Sequence, residues 1–174
     1  MTIEEYVLKD KDFNSSKFIS DANRMIQSIY YSLASNELDS IRSFLSDKVY
    51  QIFQNELQQA KDEGTQLIYD DVVIDSEIQK IETIDGVDCI FVISNCQYLR
   101  YFLSSHHAVV RGSDSNVQTK NHVFVFCKIN HARQIIERCE GCGYSYDFFD
   151  VKQCPQCGLE NRSCRNLYRI ENME

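Results

Sequence analysis

The feature that most restricts this chain is a spacing of cysteines near its end. Cys139-Glu-Gly-Cys142-Gly143 is followed by Cys154-Pro-Gln-Cys157-Gly158, with eleven residues between Cys142 and Cys154. Two residues between thiolates let one tight turn aim both sulfurs at a single ion. The glycine after each pair allows a positive φ that turns backbone N–H groups toward the sulfurs. Two such turns facing each other complete a tetrahedral four-sulfur site with no open position for catalysis. Cys139, Cys142, Cys154 and Cys157 are therefore expected to hold one structural zinc, and an iron centre of the rubredoxin type is the rival metal. A redox dithiol would use a single C-x2-C ahead of a helix. A disulfide framework calls for export, and Met1-Thr2-Ile3-Glu4-Glu5 has neither the basic region nor the apolar core of a signal peptide.

The other four cysteines are spread differently. Cys89, Cys96 and Cys127 sit in apolar, strand-like stretches and are expected to be free, acting as small hydrophobes. Cys164 is a spare, expected in a loop or packing role.

Charge bounds the partners. With 18 Lys and Arg against 26 Asp and Glu the net charge is −8, and four thiolates on one zinc make it about two units more negative. The acids are concentrated in residues 1–127, while residues 128–174 balance seven bases against seven acids. A general binder of phosphate backbones or anionic lipids wants the opposite excess. Hydrophobic residues make up 43% of the 174, which suits one domain with its own core and a satellite. No apolar run approaches the roughly 20 residues that span a bilayer.

The periodicity changes once along the chain. Residues 1–16 form a polar arm that docks or frays. Phe18, Ala22, Ile26, Ile29 and Leu33 recur at helical spacing, with Asn14 or Ser15 as cap. A short helix carries Leu38, Ile41 and Leu45, and Ser46-Asp47 opens a third helix that Gly64 ends. Beyond Gly64 the period falls to two. A bulged strand begins near Val72, Asp85-Gly86 marks a hairpin, and Val87 to Leu103 is a long apolar strand. Residues 104–121 read as a polar loop. Val123 to Ile129 form a strand buried on both faces, and Asn166 to Ile170 a last short one. Helices first and antiparallel strands after give an α+β domain. The domain is drawn as 17–131 plus 166–172, interrupted by a zinc ribbon at 132–165 on the tip of a hairpin.

The residues Asp12-Phe13, Phe18-Ile19, Ala34 and Leu38 through Asp47 resemble the helical half of the Tim-forty-four-like domain. That domain is shared by the C-terminal part of the mitochondrial inner-membrane import-motor tether and by bacterial relatives. The sheet half agrees through Val72-Val73-Ile74-Asp75, Val110-Arg111-Gly112-Ser113 and Val123-Phe124-Val125-Phe126. The resemblance spans 12–130 plus 166–171. It implies a nuclear-transport-factor-two-like cone, a curved antiparallel sheet whose pocket is closed by helices. The chain departs from the mitochondrial protein in lacking its long basic N-terminal region and in adding the ribbon. A Trp expected in the last two strands is absent, and Phe124 and Tyr168 stand in its place. The chaperone-tethering role therefore does not transfer.

That cone also hosts enzymes, so catalysis has to be tested on residues. Asp75 reads as a surface carboxylate, and Tyr98 and Tyr101 as core or rim of an aromatic strand. His106 and His107 are adjacent on an extended segment and point apart. His122 and His131 are isolated. Tyr144, Tyr146, Phe148 and Phe149 would stack on bases in a nucleic-acid binder, but the electrostatic term is missing and covering the zinc core suits them better. The expectation is a non-enzymatic binding or adaptor module, bacterial and cytoplasmic or peripheral to a membrane. It holds a protein, a lipid or an apolar segment in the cone, with the ribbon as second contact surface. A small-ligand enzyme and a nucleic-acid-binding ribbon are the alternatives, and homodimerisation stays open.

Overall fold

The computed structural model describes residues 1–129, 136–139, 141–147, 153–159 and 168–174. Helices α1 (Ile3–Lys9), α2 (Ser15–Ser35) and α3 (Asp47–Asp62) precede strands β1 (Gln66–Ile84), β2 (Val87–Leu103), β3 (Val109–Lys128), β4 (Ile136–Arg138), β5 (Ser145–Asp147) and β6 (Tyr168–Met173), and a 3-10 helix spans Leu38–Phe44. The main sheet is antiparallel in the order β1-β2-β3-β6, and β4 pairs with β5 separately. The α+β expectation holds, and the arrangement fits the nuclear-transport-factor-two-like cone.

Local chemistry sets the helix ends. The Asn14 side chain accepts from Lys17 N–H at 2.8 Å to start α2, and Asn36 ends it in the left-handed region at φ 58°. The arm of residues 1–16 docks: Thr2 and Glu5 form a capping box, and Tyr6 is fully buried. Its hydroxyl meets that of Tyr168 at 3.2 Å, and Lys128 reaches Asp10 at 2.7 Å.

One face of the sheet takes the helices. Alternate residues of β2 (Ile90, Val92, Ser94, Cys96 and Tyr98) are buried beneath α2, as period two requires. Phe18 of α2 stands edge-on to Phe126 and Tyr168 at 5.6 and 5.0 Å; Phe124 is 1% exposed, and Tyr168 is partly buried against the core. Tyr30, Tyr69 and Tyr98 pack together at 5.0–5.1 Å between centroids. Among the described residues, side chains of α2 pack directly against this face of the sheet.

Two expectations are corrected. The polar stretch 104–121 is a loop only as far as Ala108: β3 begins at Val109, and Tyr101 pairs with Gly112 and Arg100 with Ser113. These residues extend the hairpin past the core, so most are exposed and the burial alternation that marks a strand never appears. Cys89 and Cys127 are not free. They are direct cross-strand partners, their Cα atoms 4.0 Å apart, and they form a disulfide. Odd-numbered residues of β2 face away from the helices, and this bridge sits with Val87, Phe91 and Val125 in a small second cluster there. Cys96 faces the core and is free, as expected.

Candidate metal centre

Each cysteine pair is built by the same short circuit of backbone hydrogen bonds. Cys139 N–H donates to the Tyr144 carbonyl at 2.9 Å and Gly143 N–H to the Cys139 carbonyl at 2.8 Å. In the second turn Cys154 N–H donates to Leu159 at 2.8 Å and Gly158 N–H to Cys154 at 2.9 Å. Gly143 and Gly158 lie at φ 73° and 72°, the conformation that the glycine after each pair was expected to supply. β4 and β5 flank the first turn, Arg138 pairing with Ser145.

The two turns bring four sulfurs together. All the Sγ atoms of Cys139, Cys142, Cys154 and Cys157 lie within 4.8 Å of one another. Cys139–Cys157 and Cys142–Cys154 stand at 3.6 and 3.7 Å. A tetrahedral zinc with Zn–S bonds of about 2.3 Å needs sulfurs about 3.8 Å apart, so the donor set and the spacing fit the ion. Gly141 N–H points at the Cys139 sulfur at 3.4 Å, and a side chain at Gly141 would crowd Leu159. Backbone N–H groups, first that of Cys142 and then that of Gly141, draw the Cys139 thiol down to about 7. At Cys142 the Tyr144 N–H acts the same way but is outweighed by burial and the neighbouring sulfurs, which push that thiol up to about 12. Four thiols this close do not ionise together alone; a dication bound among them removes the conflict.

The other candidates are dispersed. Asp75 is exposed on the face away from the helices, and His106 and His107 are exposed near the β2–β3 turn. Tyr101 donates to Asp70 at 2.7 Å. His122 is half-buried beside Phe124. Tyr144 is exposed. His131, Phe148, Phe149, Cys164 and the Tyr146 side chain lie outside the described residues. In the core, burial drives Tyr30, Tyr69, Tyr98 and the Cys96 thiol up, so this cluster stays neutral near pH 7 and packs rather than exchanging protons.

One group was invisible in the sequence. Arg100 reaches Glu56 at 2.7 Å and Tyr69 at 3.0 Å, while Arg111 pairs with Glu63 and stacks on Phe102 at 3.7 Å. It ties α3 to the β2–β3 hairpin across partners too far apart in sequence for any local pattern to announce. A groove of about 240 Å³ opens elsewhere, beside α3, lined by residues such as Asn36, Asp39, Gln58 and Lys61.

The family of the Tim44-like domain matches residues 1–136, so the match ends before Cys139 and the four cysteines lie outside it. No curated protein matches the chain. Among the described residues no helix is long and apolar enough to cross a membrane.

Proposed function

Because the chain belongs to the Tim44-like domain family, we propose that it is a non-enzymatic adaptor that binds another protein through the outer surfaces of its cone, with a zinc ribbon as second contact surface. Family membership is the observation that carries this reading. The filling of the helix-covered face by Phe18, Ile29, Tyr30 and Leu33 supports placing the contact outside. Cys139, Cys142, Cys154 and Cys157 hold one zinc, whose role is to cross-link the two cysteine turns and supply the folding energy that such short turns lack. The four thiolates favour a reducing compartment such as the cytoplasm, whereas the Cys89–Cys127 bridge is of the kind that persists in an oxidising one.

The test is purification of the tagged chain from its native cells in buffer free of chelators. A protein partner in constant stoichiometry is expected. Recovery of the chain alone, with flotation on phosphatidylcholine–phosphatidylglycerol vesicles, would replace this reading by a lipid-binding one. Retention on DNA at low salt would replace it by the nucleic-acid reading. Elemental analysis is expected to give one zinc per chain, lost in Cys139→Ser and Cys154→Ser.

A further inference from the structure

The two edges of the main sheet are treated differently. The outer edge of β6 is closed. Ser46 N–H donates to the Ile170 carbonyl at 2.9 Å, Ser46 Oγ donates to the Glu171 carbonyl at 3.0 Å, and Leu45 bridges Ile170. Among the described residues, the outer edge of β1 is held at two points: Gln27 Nε2 donates to the Val72 carbonyl at 2.9 Å, and the Met1 amino group to the Ile81 carbonyl at 3.1 Å. Between them, no described residue pairs with the edge. Register shifts at Asp70/Val73 and Ile78/Lys80 bracket one regular stretch, Val73 to Ile78.

Which groups this stretch presents follows from strand alternation. The Val72 carbonyl points away from β2, so the N–H and C=O of Ile74, Ser76 and Ile78 point the same way, unpaired. On the helix-covered face, Ile74 and Ile78 are only partly buried, so the core is unfinished along this edge. On the other face Val73 is 59% exposed, and Asp75 and Glu77 are exposed with no cation paired to them. An open edge is an aggregation hazard, and acidic side chains along it suppress pairing with a second copy, which would bring carboxylates against carboxylates. The same charges attract a basic strand.

We infer that the edge of β1 between Val73 and Ile78 is a docking site for a basic, extended segment of a partner protein, which adds as a fifth strand beside β1. The segment alternates: apolar residues cover Ile74 and Ile78, and Lys or Arg lies beside Asp75 and Glu77, with main-chain hydrogen bonds to Ile74, Ser76 and Ile78. This rests on the reading of the protein as a protein-binding adaptor and names the surface it uses.

The probe is an alternating Lys-Val octapeptide, with an alternating Glu-Val octapeptide as control, added to the full zinc-loaded chain. Fluorescence anisotropy is expected to give at least about tenfold tighter binding of the basic peptide. Hydrogen–deuterium exchange is expected to place new protection on residues 73–78. N-methylation of alternate residues in the basic peptide is expected to abolish binding, since it removes the main-chain donors without touching the protein. Asp75→Lys with Glu77→Lys, both on the exposed face, is expected to reverse the preference. Equal binding of both peptides, protection elsewhere, indifference to N-methylation, or a dimer of the chain protected at 73–78 would each overturn the inference. A stable partner whose contact lies elsewhere would leave the adaptor reading standing and remove only this edge.

Discussion

Two glycines with similar backbones separate conformation from crowding. Gly64 lies at φ 65° with nothing near a built Cβ, whereas Gly112, at φ 82°, would place a Cβ 2.3 Å from the Arg100 carbonyl and 2.8 Å from the Tyr101 Cα. Both pay the cost of a side chain in the left-handed region, about 1–2 kcal/mol, but only Gly112 also meets backbone that cannot give way. Gly112→Ala is expected to destabilise by at least about 3 kcal/mol and Gly64→Ala by about 1, measured by urea unfolding. His122 gives a pH-dependent contribution. Burial lowers its pKa, opposed by a hydrogen bond to the Glu174 backbone and helped by Lys120. The folded state therefore disfavours the imidazolium, and the unfolded chain takes up a proton first, near pH 6.5. Stability from this site is complete above that pH and falls as the pH drops through it. Parallel melts of the wild type and His122→Gln are expected to converge as the pH falls from 7.5 to 5.5, and parallel pH profiles would contradict this. The same scale shows why some cysteines were legible and others not. The Cys139 and Cys154 turns are complete within a few residues, glycine included, so spacing alone describes them. Cys89 and Cys127 are 38 residues apart, and their meeting depends on the β2–β3 register, which no local pattern carries.

Among the elements, the junction before α3 does two tasks with one side chain. Ser46 Oγ accepts from Val49 N–H at 3.2 Å as the helix cap, and donates to the Glu171 carbonyl at 3.0 Å on β6. Its role as cap was readable, because Ser-Asp ahead of apolar helical spacing is a local signal. Its role in closing the sheet was not, because the partner is 125 residues away. Loss of a cap alone costs about 0.5–2 kcal/mol, and here a partly buried acceptor loses its donor as well. Ser46→Ala is expected to cost about 2 kcal/mol, with faster amide exchange in the first turn of α3 and along β6. Ser46→Thr, which keeps the hydroxyl, is expected to restore most of it. A change confined to α3 would mean that Ser46 does not hold the edge. The β3 strand teaches the complementary lesson. Its first half is mostly exposed and polar, so it offered neither period two nor an apolar run, and it is a strand because β2 continues beside it.

At the scale of the whole molecule, the helical order and alternating strands gave the α+β class, and the family resemblance gave the cone. How α2 sits against the sheet was not readable, because the helix shows the same apolar stripe whether it roofs a cavity or packs on the strands. Strands β3 and β6 pair from Phe124↔Met173 to Lys128↔Tyr168, so the chain leaves and re-enters the cone at neighbouring strands, with the cysteine turns between them in sequence. The two parts draw on different sources of stability. The cone has a core reaching from Tyr6 to Ile170. The turns have four sulfurs, and metal binding of about 10–16 kcal/mol is the scale on which such units fold. Removing zinc should therefore unfold the turns and leave the cone with a longer flexible loop to close. Each doubling of loop length costs only about 0.6 kcal/mol. The sheet should lose about 0.6 kcal/mol by this route, a fall in Tm of about 1–3 °C. The expected outcome with a chelator is an unchanged helical circular-dichroism signal at 25 °C and a cooperative melt shifted down by a few degrees. Amide protection should be lost around Cys139–Asp147 and Cys154–Leu159 while α2 keeps its own. Collapse of the helical signal on chelation would show that the cone depends on the metal and would make the two parts one cooperative unit.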